Sequence, residues 1–261
     1  MTARDRLTEA SRWARRVIRS QPPSSDVPAV ENAVTEEERA ILDASRPYTM
    51  ASSERLLATM DAVDHVVRSG VDGAFVECGV WRGGSVLAMV RTLMRLEVDD
   101  RDVFLYDTFE GMTEPTAHDT SRFDGSALDA WRKASAAGER AWEGWFGSDM
   151  FGLEQVKALI LGTGYPAGRL HFVAGSVEDT LPGRAPDTIA VLRLDTDWYQ
   201  STLHELEHLY PRLQPGGVLL IDDYGHWEGA RRAVDEYFDT HGGRPLFART
   251  DYTGRMAVKQ G

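Results

Sequence analysis

From residue 74 onward the chain alternates short runs rich in β-branched and aromatic residues with stretches long enough for helices. The runs read AFVEC, DVFLYD, RLHFVAG, IAVLRLD and GVLLIDD. Strands that alternate with helices must lie parallel in one sheet, because each crossover helix returns the chain to the same end. Right-handed crossovers then give a doubly wound α/β layout, with ligands held outside the carboxyl ends of the strands. Two more runs, RPLFART and RMAVKQ, are joined by the turn DYTG and read as a terminal hairpin. Added to the parallel strands, they predict a seven-stranded mixed sheet.

What precedes and interrupts that sheet is also legible. Residues 1–72 read as an N-terminal helical segment or cap, and residues 73–261 as the α/β domain. Within the cap, residues 7–18 suit a basic helix ahead of the break QPPSS, packing on the domain or on a second subunit. Thr35 with Glu38 predicts a capping box, and Ser52 a second helix cap. The stretch 109–152 is far longer than an ordinary connection between a strand and a helix. It carries Trp131, Trp142 and Trp145. Disorder usually comes with few aromatics, so this stretch is expected to be an ordered helical lid over the ligand crevice, or a helix anchored to the core by those rings.

Charge and composition narrow the function. A formal net charge of -12 opposes binding to a phosphate backbone, so no nucleic-acid partner is expected. Cys78 is the single cysteine and cannot form an intrachain disulfide. No apolar run is long enough to span a bilayer, and the N-terminus lacks the apolar core of a signal peptide. The expectation is a cytoplasmic enzyme with a small-molecule substrate and no membrane partner.

The first strand leads into FVECGVWRGGS. Its glycines, Gly79, Gly83 and Gly84, miss the G-x-G-x-x-G spacing of a dinucleotide turn. Glu77 comes just before the first of them, and Asp107 ends the next strand. A turn led by a carboxylate suits a ligand with an ammonium group better than a pyrophosphate, and S-adenosylmethionine meets that demand. Asp107 is then expected to accept the ribose hydroxyls, and Ser176, after RLHFVAG, to meet the adenine edge. A purely structural strand-turn-helix remains the alternative.

Two later strands end in acids, Asp195 and Asp197 in LRLDTDWY, Asp222 and Asp223 in LLIDDYGHW. Taken as four carboxylates without a cationic partner, they would repel one another. A hard divalent cation such as magnesium relieves that repulsion and keeps positions open for substrate oxygens. The other reading makes each aspartate a helix cap or a turn opener. His226, lone in a loop, is expected at the surface unless it ligates or relays a proton.

The segments FVECGVWRGGS, LYDTFEGM, VAGSVEDTLP, VLRLDTDWYQST, LYPRLQPGGVLLIDDYGHWEGARRAVDEYF and DYTGR resemble the macrocin O-methyltransferase family, over roughly residues 46–258. The resemblance implies a class I (Rossmann-like) methyltransferase sheet with N-terminal helices. It also implies a magnesium- and S-adenosylmethionine-dependent O-methyltransferase that acts on deoxysugar hydroxyls of natural products, as nucleotide sugars or glycosides. By the family pattern, Asp195, Asp222 and Asp223 hold the metal and Asp197 is the general base. Glu77, Gly79 and Asp107 fall on cofactor motifs, Tyr48 and Thr49 lie in a stretch that closes over cofactor or acceptor, and Asp179 fixes the loop of Ser176. A homo-oligomer is expected. Readings from other classes are a non-catalytic cofactor-binding partner protein and a metal-dependent hydroxylating or hydrolytic enzyme on the same fold.

Overall fold

The computed structural model describes residues 30–146 and 151–261. The basic helix expected over residues 7–18 lies outside them. The first described helices are α1 (Glu36–Ser45) and α2 (Ser53–Arg68). α1 starts with the expected capping box, in which the Thr35 side chain accepts from Glu38 N–H while Glu38 Oε2 accepts from Thr35 N–H at 2.8 Å. The Ser52 side chain caps α2 by accepting from Arg55 N–H. Each cap satisfies an amide that the first helical turn cannot.

The sheet then builds through β1 (Ala74–Cys78), α3 (Gly84–Arg95) and β2 (Val103–Asp107). The insertion follows, with the two-residue strands β3 (Thr120–Ser121) and β4 (Gly125–Ser126) and the helix α4 (Ala127–Ala136). The chain resumes with α5 (Leu153–Leu161), β5 (Leu170–Ala174), the single turn α6 (Val177–Thr180), β6 (Ile189–Leu194) and α7 (Tyr199–Leu209). It ends with β7 (Leu213–Ile221), α8 (Glu228–His241), β8 (Ala248–Arg249) and β9 (Arg255–Val258).

Seven strands join in the order β5-β2-β1-β6-β7-β9-β8. The first five are mutually parallel, and β9 runs antiparallel to both β7 and β8. This is the mixed sheet that the strand runs predict. The RPLFART strand shrinks to Ala248–Arg249, because Pro245 has no N–H for a ladder and Leu246 points to solvent, 88% exposed. The strand order reverses at β1, which lies between β2 and β6, so the ligand crevice opens beyond the ends of β1 and β6.

Every residue of β1 and β6 is buried, which explains why these strands read as apolar runs rather than alternating ones. One face, with Phe75, Val191 and Leu220, packs on α2, α3 and α5 through Val63, Val90 and Ile160. The other, with Val76, Leu192 and Leu219, packs on α7 and α8 through Leu206, Val234 and Phe238. Phe75 is wholly buried between layers, so Phe75→Ala would cost about 3–5 kcal/mol. Among the described residues, no helix is long and apolar enough to cross a membrane.

Candidate active site

The glycine turn is shaped by close backbone approach. Gly79 has φ +81°, and a Cβ there would lie 1.9 Å from the Asp195 carbonyl oxygen, so the ends of β1 and β6 can meet only with glycine at this position. A Cβ on Gly84 would lie 2.6 Å from Thr49 Cβ and 2.7 Å from the Tyr48 carbonyl carbon. Tyr48 and Thr49 are therefore seated directly on the start of α3. Asp107 staples the same turn. Its Oδ2 accepts from Val80 N–H at 2.7 Å and Trp81 N–H at 2.9 Å, and its Oδ1 from Phe109 N–H at 2.7 Å. Thr108 Oγ1 lies a further 3.4 Å from Oδ1, so each carboxylate oxygen already faces two donors of the chain itself.

Ser176 caps α6. Its hydroxyl accepts from Asp179 N–H at 3.2 Å and donates to Asp179 Oδ2 at 3.0 Å, so the pair holds the loop after β5. That loop borders a cavity of about 260 Å³ whose walls include Ser176, Thr113, Trp198 and Gln200. Trp198 Nε1 donates to the Thr113 carbonyl at 3.0 Å, tying the start of the insertion to the start of α7.

At the centre of the carboxylates lies a cation that the sequence reading missed. Arg193, inside the run IAVLRLD and only 2% exposed, stands beside Glu77 in the register of β6 on β1. Its Nη1 donates to Glu77 Oε1 at 2.5 Å and to Asp195 Oδ2 at 2.6 Å, and its Nη2 to Asp222 Oδ1. Arg55 reaches in from α2, donating to Asp222 Oδ2 and pairing with Asp251 at 3.0 Å. The expectation of uncompensated acids is thus corrected. A charged residue in an otherwise apolar strand was the available signal for Arg193, whereas nothing in its own run marked Arg55.

Two guanidiniums do not balance the cluster. Burial pushes the Glu77 carboxyl up to about 8, against the pull of Arg193, and Glu77 Oε2 is buried without a partner. Burial raises Asp195 to about 7. Asp222 is the exception, since Arg193 and Arg55 overcome its burial and hold it below the usual range. Asp197 and Asp223 stand well above that range through burial and the neighbouring carboxylates. Asp197 adopts φ +66°, an uncommon conformation for a non-glycine residue, and its Oδ1 accepts from Trp227 Nε1 at 2.9 Å. Between the two acids, Thr196 Oγ1 donates to the buried Glu205 at 2.9 Å, which anchors the loop to α7.

Asp195, Asp222 and Asp223 each bring one carboxylate oxygen within 4.8 Å of the others. An oxygen-only set that converges on one point fits a hard divalent cation. Burial and mutual repulsion disfavour the charged forms of Asp195 and Asp223, and a cation between them would relieve both.

His226 departs from the surface expectation. It is 9% exposed, with Nε2 against Asp124 Oδ2 at 2.8 Å and Nδ1 against the Tyr252 hydroxyl at 3.1 Å. It couples the β3–β4 hairpin of the insertion to the terminal hairpin. The insertion's rings also reach the core, Trp131 meeting Trp142, Trp142 meeting Trp198, and Trp198 meeting Trp227. Trp145 accepts at its carbonyl from Trp81 Nε1 at 2.9 Å. The insertion is therefore anchored beside the carboxylates.

The chain is similar to known proteins in sequence and in fold. The profile of the family described as macrocin-O-methyltransferase (TylF) matches residues 3–257. The 8-demethyl-8-(2,3-dimethoxy-alpha-L-rhamnosyl)-tetracenomycin-C 4'-O-methyltransferase of Streptomyces olivaceus is 38% identical over 79% of this chain and 74% of its own. The mycinamicin III 3''-O-methyltransferase of Micromonospora griseorubida is 34% identical over 75% of this chain and 72% of its own. Among solved structures, the O-methyltransferase NovP superposes with a TM-score of 0.69 at 30% identity, covering 82% of this chain and 83% of that one. The fold is that of the class I methyltransferases.

Proposed function

We propose that this chain, which belongs to the macrocin O-methyltransferase family, methylates a sugar hydroxyl in natural-product biosynthesis, with S-adenosylmethionine as donor and magnesium assistance. The acceptor is a deoxysugar, as nucleotide sugar or finished glycoside; the names of the two relatives carry a rhamnosyl tetracenomycin and mycinamicin III. The observation that carries the reading is the meeting of Asp195, Asp197, Asp222 and Asp223 beside the Gly79 turn, at the point where the strand order reverses. A cytoplasmic homo-oligomer belongs to the same reading.

S-Adenosylmethionine supplies an electrophilic methyl group on a sulfonium. Magnesium, held by Asp195, Asp222 and Asp223, supplies a Lewis acid that lowers the pKa of a hydroxyl. The chain's own residues do the rest. Asp197 accepts the proton of the acceptor hydroxyl, and Trp227 Nε1 holds that carboxylate in place from its other oxygen. Arg193 and Arg55 hold Asp222 from both of its oxygens and so fix its place at the end of β7. Asp107 meets a ribose hydroxyl, the cavity beside Ser176 takes the adenine, and buried Glu77 faces the amino-acid end. Tyr48 and Thr49, seated on Gly84, cover the turn. Positioning of the reacting oxygen in line with the methyl group is a large part of the catalysis.

Calorimetric titration of S-adenosylhomocysteine into the full chain, with magnesium and then with EDTA, tests this. Binding in both conditions, with methyl transfer to a diol-bearing sugar only when magnesium is present, is the expected result. Absence of binding in both conditions would remove the methyltransferase reading.

A further inference from the structure

The helix that follows the Asp195–Asp197 loop carries a second cluster of metal-competent side chains, which the reaction above does not use. His204, Glu207 and His208 lie in HELEH on α7. Residues three and four apart share one face of a helix, and two histidines at that spacing can ligate one ion. The two rings meet edge to face with centroids 4.3 Å apart. One nitrogen of each and one oxygen of Glu207 lie within 4.8 Å of one another.

A second contact prepares one of these rings for a ligand. The Leu181 carbonyl can only accept and lies 3.4 Å from His204 Nε2, so with the ring proton on that nitrogen Nδ1 is left to ligate. Histidines that bind metals are commonly oriented in this way, by a carbonyl on the opposite ring nitrogen. His204 and His208 are half-buried and Glu207 is exposed, so an ion can enter from solvent.

We propose that His204, Glu207 and His208 form a binding site for a borderline divalent transition metal ion of the zinc class, separate from the oxygen-only carboxylate set. Imidazole nitrogens select Zn2+, Ni2+ or Cu2+, whereas Mg2+ prefers oxygen ligands. Excess magnesium therefore fills the aspartate set without competing on α7. Because His204 also holds Leu181, an ion here ties the outer face of α7 to the segment that follows α6. The inference does not depend on the methyl-transfer reading.

The test is a calorimetric titration of ZnCl2 into the full chain in excess magnesium, on wild type and on His204→Ala, His208→Ala and the double variant. We expect one zinc ion per chain, affinity lowered by each single change, and loss of the site in the double variant. His204→Gln and His208→Gln are the fallback should an alanine variant unfold. Thermal unfolding gives a second readout, in which zinc raises the midpoint of wild type and leaves the double variant unmoved. Asp223→Asn, in the other set, should leave the zinc isotherm unchanged. Zinc binding of equal affinity in the double variant, or none in wild type, overturns the proposal.

Discussion

Arg193 Nη1 donates to Glu77 Oε1 at 2.5 Å in a site where both residues are only 2% exposed. The pair joins β1 to β6 at the point where the strand order reverses, and Arg193 then spreads to Asp195 and Asp222. A buried pair is weak evidence of net stability, but removing one member leaves the other uncompensated. Arg193→Met should therefore destabilise the fold by about 3–5 kcal/mol, read as a lower urea midpoint. A variant as stable as wild type would show that the guanidinium is not a keystone of the strand ends.

The pH dependence of stability follows from the raised carboxyls. Glu77 titrates at about 8 and Asp195 at about 7 in the folded chain, and both titrate near 4 when unfolded. Between those values the folded state binds more protons than the unfolded one, so stability falls as pH rises from about 5 to 8. Melting curves in EDTA should show this decline, and magnesium at the alkaline end should reverse part of it. A flat profile in EDTA would mean that the acids ionise freely, and the case for a cation would weaken.

Asp197 is held by Trp227 and touches neither arginine in the hydrogen-bond network, so it can be changed with little disturbance to the others. Asp197→Asn should keep S-adenosylhomocysteine affinity and lower turnover by about 10²- to 10⁴-fold. Turnover near that of wild type would dismiss it as the base.

Asp223 is a cleaner probe of the metal than Asp222, because Asp222 also anchors Arg193 and Arg55. Asp223→Asn should raise the magnesium concentration needed for half-maximal turnover by at least about tenfold, with S-adenosylhomocysteine binding in EDTA unchanged. Full activity of the wild-type enzyme in chelator would end the metal assignment.

His226 latches the insertion to the terminal hairpin through Asp124 and Tyr252. His226→Ala should speed amide exchange over residues 120–126 while lowering global stability by only about 1 kcal/mol. Unchanged exchange there would mean that the hairpin is held by its other contacts alone.

The sequence by itself determined the sheet. Apolar runs alternating with helical segments leave few topologies open, and the two helix caps at Thr35 and Ser52 are local chemistry that tertiary packing does not revise. The family motifs likewise marked the acids that gather at the strand ends. What only the tertiary structure decided is how those acids are compensated. Arg55 lies in α2, 167 positions from Asp222, and no local pattern connects them. Asp107 reads as a ribose ligand from its place at the end of a strand, yet three backbone amides claim it first. His226 reads as a loop residue and is buried because the insertion folds back over it. Which segments become strands depends on short-range pattern, whereas the protonation and partners of a buried charge depend on what distant segments bring within hydrogen-bonding distance.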